Sequence, residues 1–521
     1  MKKESLFRWG TIVAVMLAFM GLLLWRLYDL TLVQGDQYSQ LARTRRTKEI
    51  QIAAPRGNIY DCNGVLLAGS RSSFAVQGFK DELMHLKTDE RNQVLARLLR
   101  YIERDGAEYG EDFPIQRNQI VYASEADYLQ EKETPDEKAQ RLLVEHHLVE
   151  QWLQMVYHTA LDRDFRVSPA ARALTALSLK GSALPIQADP DVNFRLSWKA
   201  GKEYDTLKNA KVIKDNTSAL EYLSKRLNDN KNLLSHVLNH PATRKLAYQL
   251  LNEKKLTENL RLRECDYTYV ENARRKKAAF HQAFPAITLT STAKEDFVTI
   301  VKNSALDRFL TSISVEEDNR FTIPAEGLLN RLANKGIETN LKYVISADAR
   351  TVSVEFIHPE GEDGTALDRL KKLGLEQQLL DEVITDDAYK YLAEQAMFDE
   401  GFYPGIALKT WTYGLETDQE DFVKKFNLDK MSADEAFRRL LENYEIDPTM
   451  DPVLQWGIML ITDRVGKPGT YAFWPINICY ELSEDTVAKI EENIASGAGI
   501  MVSQQAIRYY PFGESASHIL G

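Results

Sequence analysis

Apolar residues recur every three or four positions along several segments of the chain, and charged residues fill the positions between them. This spacing is typical of amphipathic helices, whereas alternating or β-branched apolar runs are typical of strands. The helical pattern predicts helices over residues 89–102, 136–161, 218–238, 242–251 and 375–398. The strand pattern covers residues 286–289, 297–301, 341–346, 351–357 and 473–480, and a capped helix is predicted from Ser483 to residue 490. The predicted fold class is therefore α+β, an elongated mixed α/β module with a large helical insertion.

A different pattern occupies residues 9–25, which form an uncharged and mostly apolar run between Arg8 and Arg26. As a helix this run rises about 25 Å, close to the roughly 30 Å hydrocarbon core of a bilayer. Basic residues precede the run, and positive charge favours the cytoplasmic side. No small-residue cleavage site follows it, which favours an anchor over a secretory signal peptide. The sequence predicts a cytoplasmic tail over residues 1–8 and a single transmembrane helix over 9–28, embedded in the lipid bilayer of the cell membrane, with the rest extracytoplasmic.

Composition narrows the classes of function. The formal net charge is −11, with 27% charged and 44% hydrophobic residues, a balance found in folded domains. The acidic excess argues against a nucleic-acid partner. The three cysteines, Cys62, Cys265 and Cys479, lie far apart, so the sequence encodes neither a disulfide framework nor a Cys-x-x-Cys metal site.

A β-hairpin is predicted soon after the apolar run. Two short apolar stretches flank Asn63-Gly64, a dipeptide that tolerates the positive φ angles of a hairpin turn. Two charges of this segment either form an ion pair across the hairpin or remain independent on its surface. These two charges belong to Arg56 and Asp61. The residues that stand out in this segment are Arg56, Gly57, Ile59, Tyr60, Asp61 and Gly64.

The last residues form a second distinctive segment, in which an aromatic-proline turn precedes a glycine and several small residues. Its marked positions are Arg508, Tyr510, Pro511, Gly513, His518 and Gly521. The hairpin segment resembles the first motif of the non-penicillin-binding module of class B penicillin-binding proteins. The terminal segment resembles the one that closes this module before the transpeptidase domain. The order of anchor, first motif and closing motif makes the resemblance specific, and the marked residues of both segments are interpreted as structural.

The resemblance implies a pedestal, a membrane-anchored module that positions a penicillin-sensitive D,D-transpeptidase in peptidoglycan synthesis. Its implied partners are a SEDS-type glycosyltransferase, other cell-wall synthesis proteins and a second copy in a homodimer. We expect a first pedestal segment over residues 29–80, a mainly helical insertion over 81–280, and a remaining pedestal segment over 281–521 that ends before the missing transpeptidase domain. Two alternatives stay open: a truncated record of an active transpeptidase, and a stand-alone docking protein of wall synthesis.

Catalytic chemistry in that family requires Ser-x-x-Lys, Ser-x-Asn and Lys-Thr-Gly. Only the first occurs, as Ser291 to Lys294, and it lies upstream of the closing motif. The adjacent His146 and His147 would point about 100° apart on a helix, which favours a solvated face over a metal site. Residues 189–193 are interpreted as an acidic turn. We therefore predict no catalytic residue, no metal ligand and no cofactor, and the chain as given is not expected to be an enzyme.

Overall fold

The computed structural model describes residues 16–17, 19–25, 27–28, 56–110, 113–209, 212–214, 216–315, 321–347, 351–360, 363–466, 475–494 and 497–510. Of the predicted anchor, residues 16–17, 19–25 and 27–28 are helical, and its other residues lie outside the described part. No helix among the described residues is both long and apolar enough to cross a bilayer.

The strands, in chain order, are β1 (Ile59–Tyr60), β2 (Leu66–Gly78), β3 (Ile115–Tyr122), β4 (Ile186–Asp189), β5 (Arg195–Trp198), β6 (Leu260–Tyr267), β7 (Ser314–Val315), β8 (Phe321–Thr322), β9 (Leu341–Ile345), β10 (Val352–Phe356), β11 (Ile406–Ala407), β12 (Thr412–Tyr413), β13 (Ile476–Leu482) and β14 (Ile500–Tyr509). The helices before β6 are α1 (Lys80–His85), α2 (Thr88–Asp105), α3 (Glu125–Gln130), α4 (Pro135–Glu145), α5 (Val149–Gln154), α6 (Pro169–Leu179), α7 (Lys202–Asn209), α8 (Ala219–Asn228), α9 (Lys231–Leu238) and α10 (Pro241–Glu253). The helices after β6 are α11 (Thr268–Ala283), α12 (Ala293–Ile300), α13 (Leu306–Leu310), α14 (Pro324–Asn334), α15 (Ala366–Glu376), α16 (Leu380–Ile384), α17 (Lys390–Asp399), α18 (Gly414–Phe426), α19 (Ala433–Asn443), α20 (Pro452–Gly466) and α21 (Glu484–Asn493). The mixed α/β fold class is confirmed.

One antiparallel sheet joins the beginning and the end of the described chain. Strand β2 pairs with β1, β13 and β14. Its register with β14 is continuous from Gly78 opposite Ile500 to Gly69 opposite Tyr509. Residues more than 400 positions apart in sequence therefore share one sheet.

The larger hydrophobic core is built from residues up to and including β6 together with residues after β12. Helix α2 runs through it and buries Leu95, Leu98, Leu99 and Ile102 on one face. Trp456 of α20 is fully buried and donates its indole N–H to the carbonyl of Ile115 at 2.8 Å. Both halves of the chain are thus needed to fill this first core.

A second core is formed by residues 284–413. Phe297 and Phe309 are fully buried in it. Helix α11 leads from one core to the other, because Ala278 packs against the first core and Phe280 against the second. The predicted segment 281–521 consequently contributes to both cores, and the domain boundaries drawn from the sequence remain predictions.

Several predicted elements are confirmed. Helix α2 covers residues 89–102, helix α10 covers 242–251, and β9 pairs antiparallel with β10 as the predicted hairpin. Strand β13 overlaps the run 473–480, whose first two residues lie outside the described part. The hydroxyl of Ser483 accepts the N–H of Thr486 at 3.2 Å, so the predicted cap of α21 is also confirmed.

Three long helices are shorter than predicted. The helix over 136–161 ends at Glu145, since His147 adopts a left-handed φ of 55° before α5 begins. The helix over 218–238 is divided, because Asn230 caps a new helix by accepting the N–H of Leu233. The segment 375–398, predicted as one helix, contains two helices, α16 and α17, which are separated by turns. Its first residue, 375, belongs to the end of α15. Apolar periodicity continues across each break, which is why the pattern alone merges the helices.

The strands predicted at 286–289 and 297–301 are wrong. Residues 286–289 belong to no helix or strand, and residues 297–301 lie in α12 and the π-helical turn that follows it. Thr292 and Glu295 form a capping box: each side chain accepts the backbone N–H of the other residue. This cap specifies a helix start and outweighs the β-branched residues that favoured a strand.

Candidate functional site

The hairpin predicted around Asn63-Gly64 is present. Ile59 lies opposite Ala68 in the pairing of β1 with β2. The Oδ1 atom of Asp61 accepts the N–H groups of Asn63 at 2.8 Å and Val65 at 2.7 Å. Gly64 has a φ of 79°, the left-handed conformation that the turn requires. The side-chain carboxylate of Asp61 therefore stabilises the turn by accepting two backbone N–H groups.

The first and last motif segments meet at one end of the sheet. The Nη1 atom of Arg508 donates to the carbonyl of Gly57 at 2.7 Å, and the Oγ atom of Ser70 donates to the carbonyl of Arg56 at 2.8 Å. The main chain of Tyr509 pairs with β2. We call residues 56–60, 69–71 and 508–510 the strand junction. It brings together Arg56, Gly57, Ile59, Tyr60, Arg508 and Tyr510, whereas Pro511, Gly513, His518 and Gly521 lie outside the described residues.

Apolar and aromatic groups of the hairpin face solvent. Ile59 is 39% exposed, Tyr60 is 55% exposed and Val65 is 42% exposed. The hydroxyl of Tyr60 accepts the side-chain N–H of Asn58 at 3.0 Å. A small, exposed hairpin tip with a polar anchor is suited to contact a neighbouring domain or protein, although single exposed apolar residues are common on protein surfaces.

A charged cluster that the sequence did not indicate supports the strand junction from the side. Arg71 of β2 forms an ion pair with Glu481 of β13 at 2.7 Å and donates to the hydroxyl of Ser178 at 2.8 Å. The Ser178 hydroxyl in turn donates to Glu481 at 2.7 Å. A charged residue inside a strand, such as Arg71 or Glu481, indicates in the sequence that the side chain needs a polar partner. The sequence does not identify that partner.

The loop after α6 contacts the end of β14. The N–H of Tyr510 donates to the carbonyl of Gly181 at 3.1 Å. Gly181 has a φ of 73°, and a Cβ atom there would lie 2.8 Å from the Tyr510 ring and 3.1 Å from the Arg508 carbonyl oxygen. The close approach explains why a glycine is needed at this position.

The Ser-x-x-Lys sequence does not form a paired nucleophile and base. The Oγ atom of Ser291 lies 2.5 Å from Oδ1 of the buried Asp296 and 2.7 Å from the carbonyl of Thr288. Lys294 is exposed, and its ammonium group lies 5.5 Å from the centre of the Trp411 ring. Ser291 thus holds a turn before α12, and Lys294 covers an aromatic ring.

The remaining polar segments considered from the sequence lie on the surface. His146 and His147 are exposed at the end of α4. Residues 189–193 form a short 3-10 turn in which Oδ1 of Asp189 accepts the N–H of Asp191. Across the described residues, no group of three or more histidine, cysteine, aspartate or glutamate side chains is placed to hold a metal ion.

Three titratable groups with perturbed pKa values, Glu103, Tyr109 and His240, form a buried cluster with Arg172 in the first core. The Tyr109 hydroxyl donates to Oε1 of Glu103 at 2.7 Å, and Arg172 forms an ion pair with Oε2 at 3.2 Å. His240 lies 2.9 Å from Oε1 through Nε2, and its Nδ1 atom accepts the N–H of Ala242 at 3.3 Å. This pattern assigns the ring proton to Nε2, from which it is donated to Glu103.

The charges in this cluster are set by burial and by the permanent charge of Arg172. Burial alone would raise the pKa of Glu103, but His240 and Arg172 outweigh burial and hold the pKa at about 2. Burial, followed by Arg172, lowers the pKa of His240. At neutral pH we therefore assign an ionised Glu103, held by Arg172 and by the Nε2–H group of a neutral His240. The imidazole charge lowers the pKa of Glu103 only once acid has protonated His240. Because the four side chains are buried, the cluster orients the core and offers no route to a substrate.

Both sides of the strand junction lie in segments that are similar to a known protein family. A family model described as the penicillin-binding protein dimerisation domain matches residues 51–238 and 343–521. The match begins just before the hairpin and includes β14, so it contains both sides of the strand junction. No curated protein matches the sequence significantly.

Proposed function

The chain belongs to the family of penicillin-binding protein dimerisation domains, and from this premise we propose that it is a non-catalytic pedestal that positions a transpeptidase for peptidoglycan synthesis. Family membership indicates a class B pedestal module in cell-wall synthesis. The observation that carries the finer proposal is the contact of Arg508 with Gly57 across the strand junction. This contact connects β14, the last strand of the sheet, to the residues just before the hairpin of β1 and β2, where the sheet begins.

The physical role is mechanical. A continuous ten-residue pairing of β14 with β2 resists bending, because each backbone pair must break before the strand can swing. The Arg71, Ser178 and Glu481 cluster connects three elements beside this pairing. A domain attached after β14 would therefore have a defined position relative to the pedestal.

Membrane anchoring through residues 9–28 is part of the proposal. The large apolar side chains described between Met16 and Tyr28 are all more than half exposed. An apolar surface of this kind is costly in water and favourable in lipid. With basic residues on its N-terminal side, the proposed orientation is a cytoplasmic N-terminus and an extracytoplasmic pedestal.

The dimerisation domain indicates association with a second copy or with a partner protein. We place a SEDS-type glycosyltransferase among the proposed partners, with contacts through the anchor and the pedestal. Cross-linking in native membranes with a cysteine introduced at exposed Tyr60, in a chain whose exposed Cys62 is replaced by serine, tests this. A cross-linked product that contains the glycosyltransferase supports the proposal, and products that contain only unrelated proteins contradict it.

Labelling native membranes with a fluorescent penicillin, followed by detection with an antibody against residues 56–110, tests the main proposal. A labelled, antibody-positive band well above 59.5 kDa supports a pedestal joined to a transpeptidase. An unlabelled 59.5 kDa band that co-purifies with a penicillin-labelled protein supports a separate pedestal. An unlabelled band with no such companion contradicts the proposal and favours a docking protein without a transpeptidase.

A further inference from the structure

A groove lined by arginines lies on the first core, away from the strand junction. Arg97, Arg100 and Arg104 occupy one side on α2, and Arg166 and Phe194 face them. The groove has a volume of about 390 Å³ and also contacts Tyr101. We call it the arginine groove. Nothing in the proposed pedestal role requires four guanidinium groups at this place.

Two of the four arginines already have carboxylate partners. Arg100 pairs with Asp162 at 2.6 Å, and Arg104 pairs with Asp191 at 3.0 Å and with Asp485 at 3.7 Å. These contacts explain why Arg100 and Arg104 are held in place.

The other two arginines have no carboxylate partner within the described part of the chain. Arg97 donates to the backbone carbonyl of Asn493 at 2.5 Å, which suits the C-terminal end of α21. Arg166 lies over the ring of Phe194 at 5.9 Å. Both contacts position the guanidinium groups without neutralising them, so Arg97 and Arg166 supply two unneutralised positive charges, against the one carboxylate of Asp164 among the lining residues.

We propose that the arginine groove binds an acidic peptide segment of a partner protein, one that carries at least two carboxylates and an apolar side chain. Arg97 and Arg104 are seven positions apart on α2, so the row is about 10 Å long, the span of several peptide residues. Guanidinium groups bind carboxylates through two parallel hydrogen bonds. Tyr101 and Phe194 supply an apolar wall for a side chain between the two carboxylates.

A carboxylate ligand fits the groove better than a phosphate does. Asp164 lies exposed at the rim, and its charge repels a compact ligand that concentrates several negative charges at one place more strongly than carboxylates spaced along a peptide. The cavity size also suits a short segment of two or three residues more closely than an extended polymer. Inorganic pyrophosphate is therefore the competing probe, and its preferential binding would count against the proposal.

The test uses the full chain in a nonionic detergent and a fluorescein-labelled peptide of alternating glutamate and phenylalanine, monitored by fluorescence anisotropy. We expect saturable binding that weakens with salt. The double variant R97A/R166A should bind at least about tenfold more weakly, since two charge-assisted hydrogen bonds are lost. R166K, which keeps the charge but not the planar fork, should give an intermediate loss.

The matched control is R439A, because Arg439 is an exposed arginine of α19 paired with Glu442. Its binding should stay within about twofold of the wild type, and circular dichroism should show that all variants are folded. Equal peptide affinity of R97A/R166A and wild type would overturn the proposal. Absence of saturable peptide binding, or binding of pyrophosphate in preference to the peptide, would overturn it as well.

Discussion

At the scale of single residues, the strand junction depends on polar groups that meet across nearly the whole length of the chain. Arg508 and Gly57 are joined by a guanidinium-to-carbonyl hydrogen bond, and Arg71 and Glu481 by an ion pair. The family motif drew attention to the first pair because its residues stand out in sequence. The second pair could not be predicted, because its partners come from separate strands whose pairing is decided only by the completed sheet.

Replacing Arg508 by alanine is expected to lower the free energy of unfolding by about 1 kcal/mol, the usual contribution of a partly exposed hydrogen bond. Urea denaturation followed by tryptophan fluorescence measures the change. R439A, which removes an exposed ion pair elsewhere, should change it by less than about 0.5 kcal/mol. Equal effects of the two substitutions would mean that the Arg508 contact does not stabilise the strand junction.

The buried carboxylate Glu103 gives a prediction that depends on pH. Its pKa of about 2 lies below the ordinary value of 4.5, so its stabilisation is complete above pH 4.5 and is lost as the pH falls towards 2. E103Q should lower the free energy of unfolding by about 3 kcal/mol or more at pH 7, because Arg172 loses its buried partner. Urea denaturation at a series of pH values measures both effects.

The difference between wild type and E103Q should shrink as the pH falls from 4.5 to 2, since protonation of Glu103 removes the same charge. His240 adds a separate loss of stability below its ordinary pKa of 6.5, because the unfolded chain binds the proton more readily than the folded one. That loss is expected in both proteins and is larger in E103Q, because Glu103 raises the pKa of His240; the difference between the two proteins should therefore shrink only below pH 4.5, where Glu103 titrates. A difference that stays constant across the acidic range would contradict the assignment of an ionised Glu103.

At the scale of elements, local signals predicted the beginnings of helices better than their ends. The Ser483 cap is sufficient to predict the start of α21, and the apolar periodicity is sufficient to predict α2, because both signals act within one or two helical turns. The breaks at His147 and Asn230 were missed because the apolar stripe continues beyond them. In α12 the capping box of Thr292 decided the structure against a β-favouring composition. The capping box is itself a local signal in the sequence, whereas the ends of helices depend on burial between neighbouring elements, which local patterns do not contain.

The two glycines of the hairpin are expected to differ. Gly64 has a φ of 79°, whereas Gly57 has no positive φ, and a Cβ atom there would meet nothing within 4 Å among the described residues. G64A should therefore cost about 1 kcal/mol of stability. G57A should be nearly neutral, since Gly57 contributes only its carbonyl to Arg508. Thermal unfolding of the two variants measures this, and equal losses would contradict the turn geometry.

At the scale of the whole molecule, the chain leaves the first core through α11, builds a second core, and returns to complete the first. The sequence predicts an inserted, mainly helical region over residues 81–280, and these bounds stay a prediction. Helical periodicity marks which residues are buried without marking what they are buried against. Residues of 81–280 and of 422–498 share the first core, and such a long-range association has no local pattern.

Two separate cores should respond separately to the removal of a buried ring. Phe297 is fully buried in the second core and Phe165 in the first, so each alanine substitution should cost about 3–5 kcal/mol locally. Hydrogen exchange followed by mass spectrometry should detect faster exchange of α12 and α14 in F297A, with α2 and α20 unchanged. F165A should give the reverse pattern, because local opening follows the cooperative unit that was weakened. If either variant accelerates exchange equally in both sets of helices, the cores unfold as one unit and the second core does not act as an independent part of the pedestal.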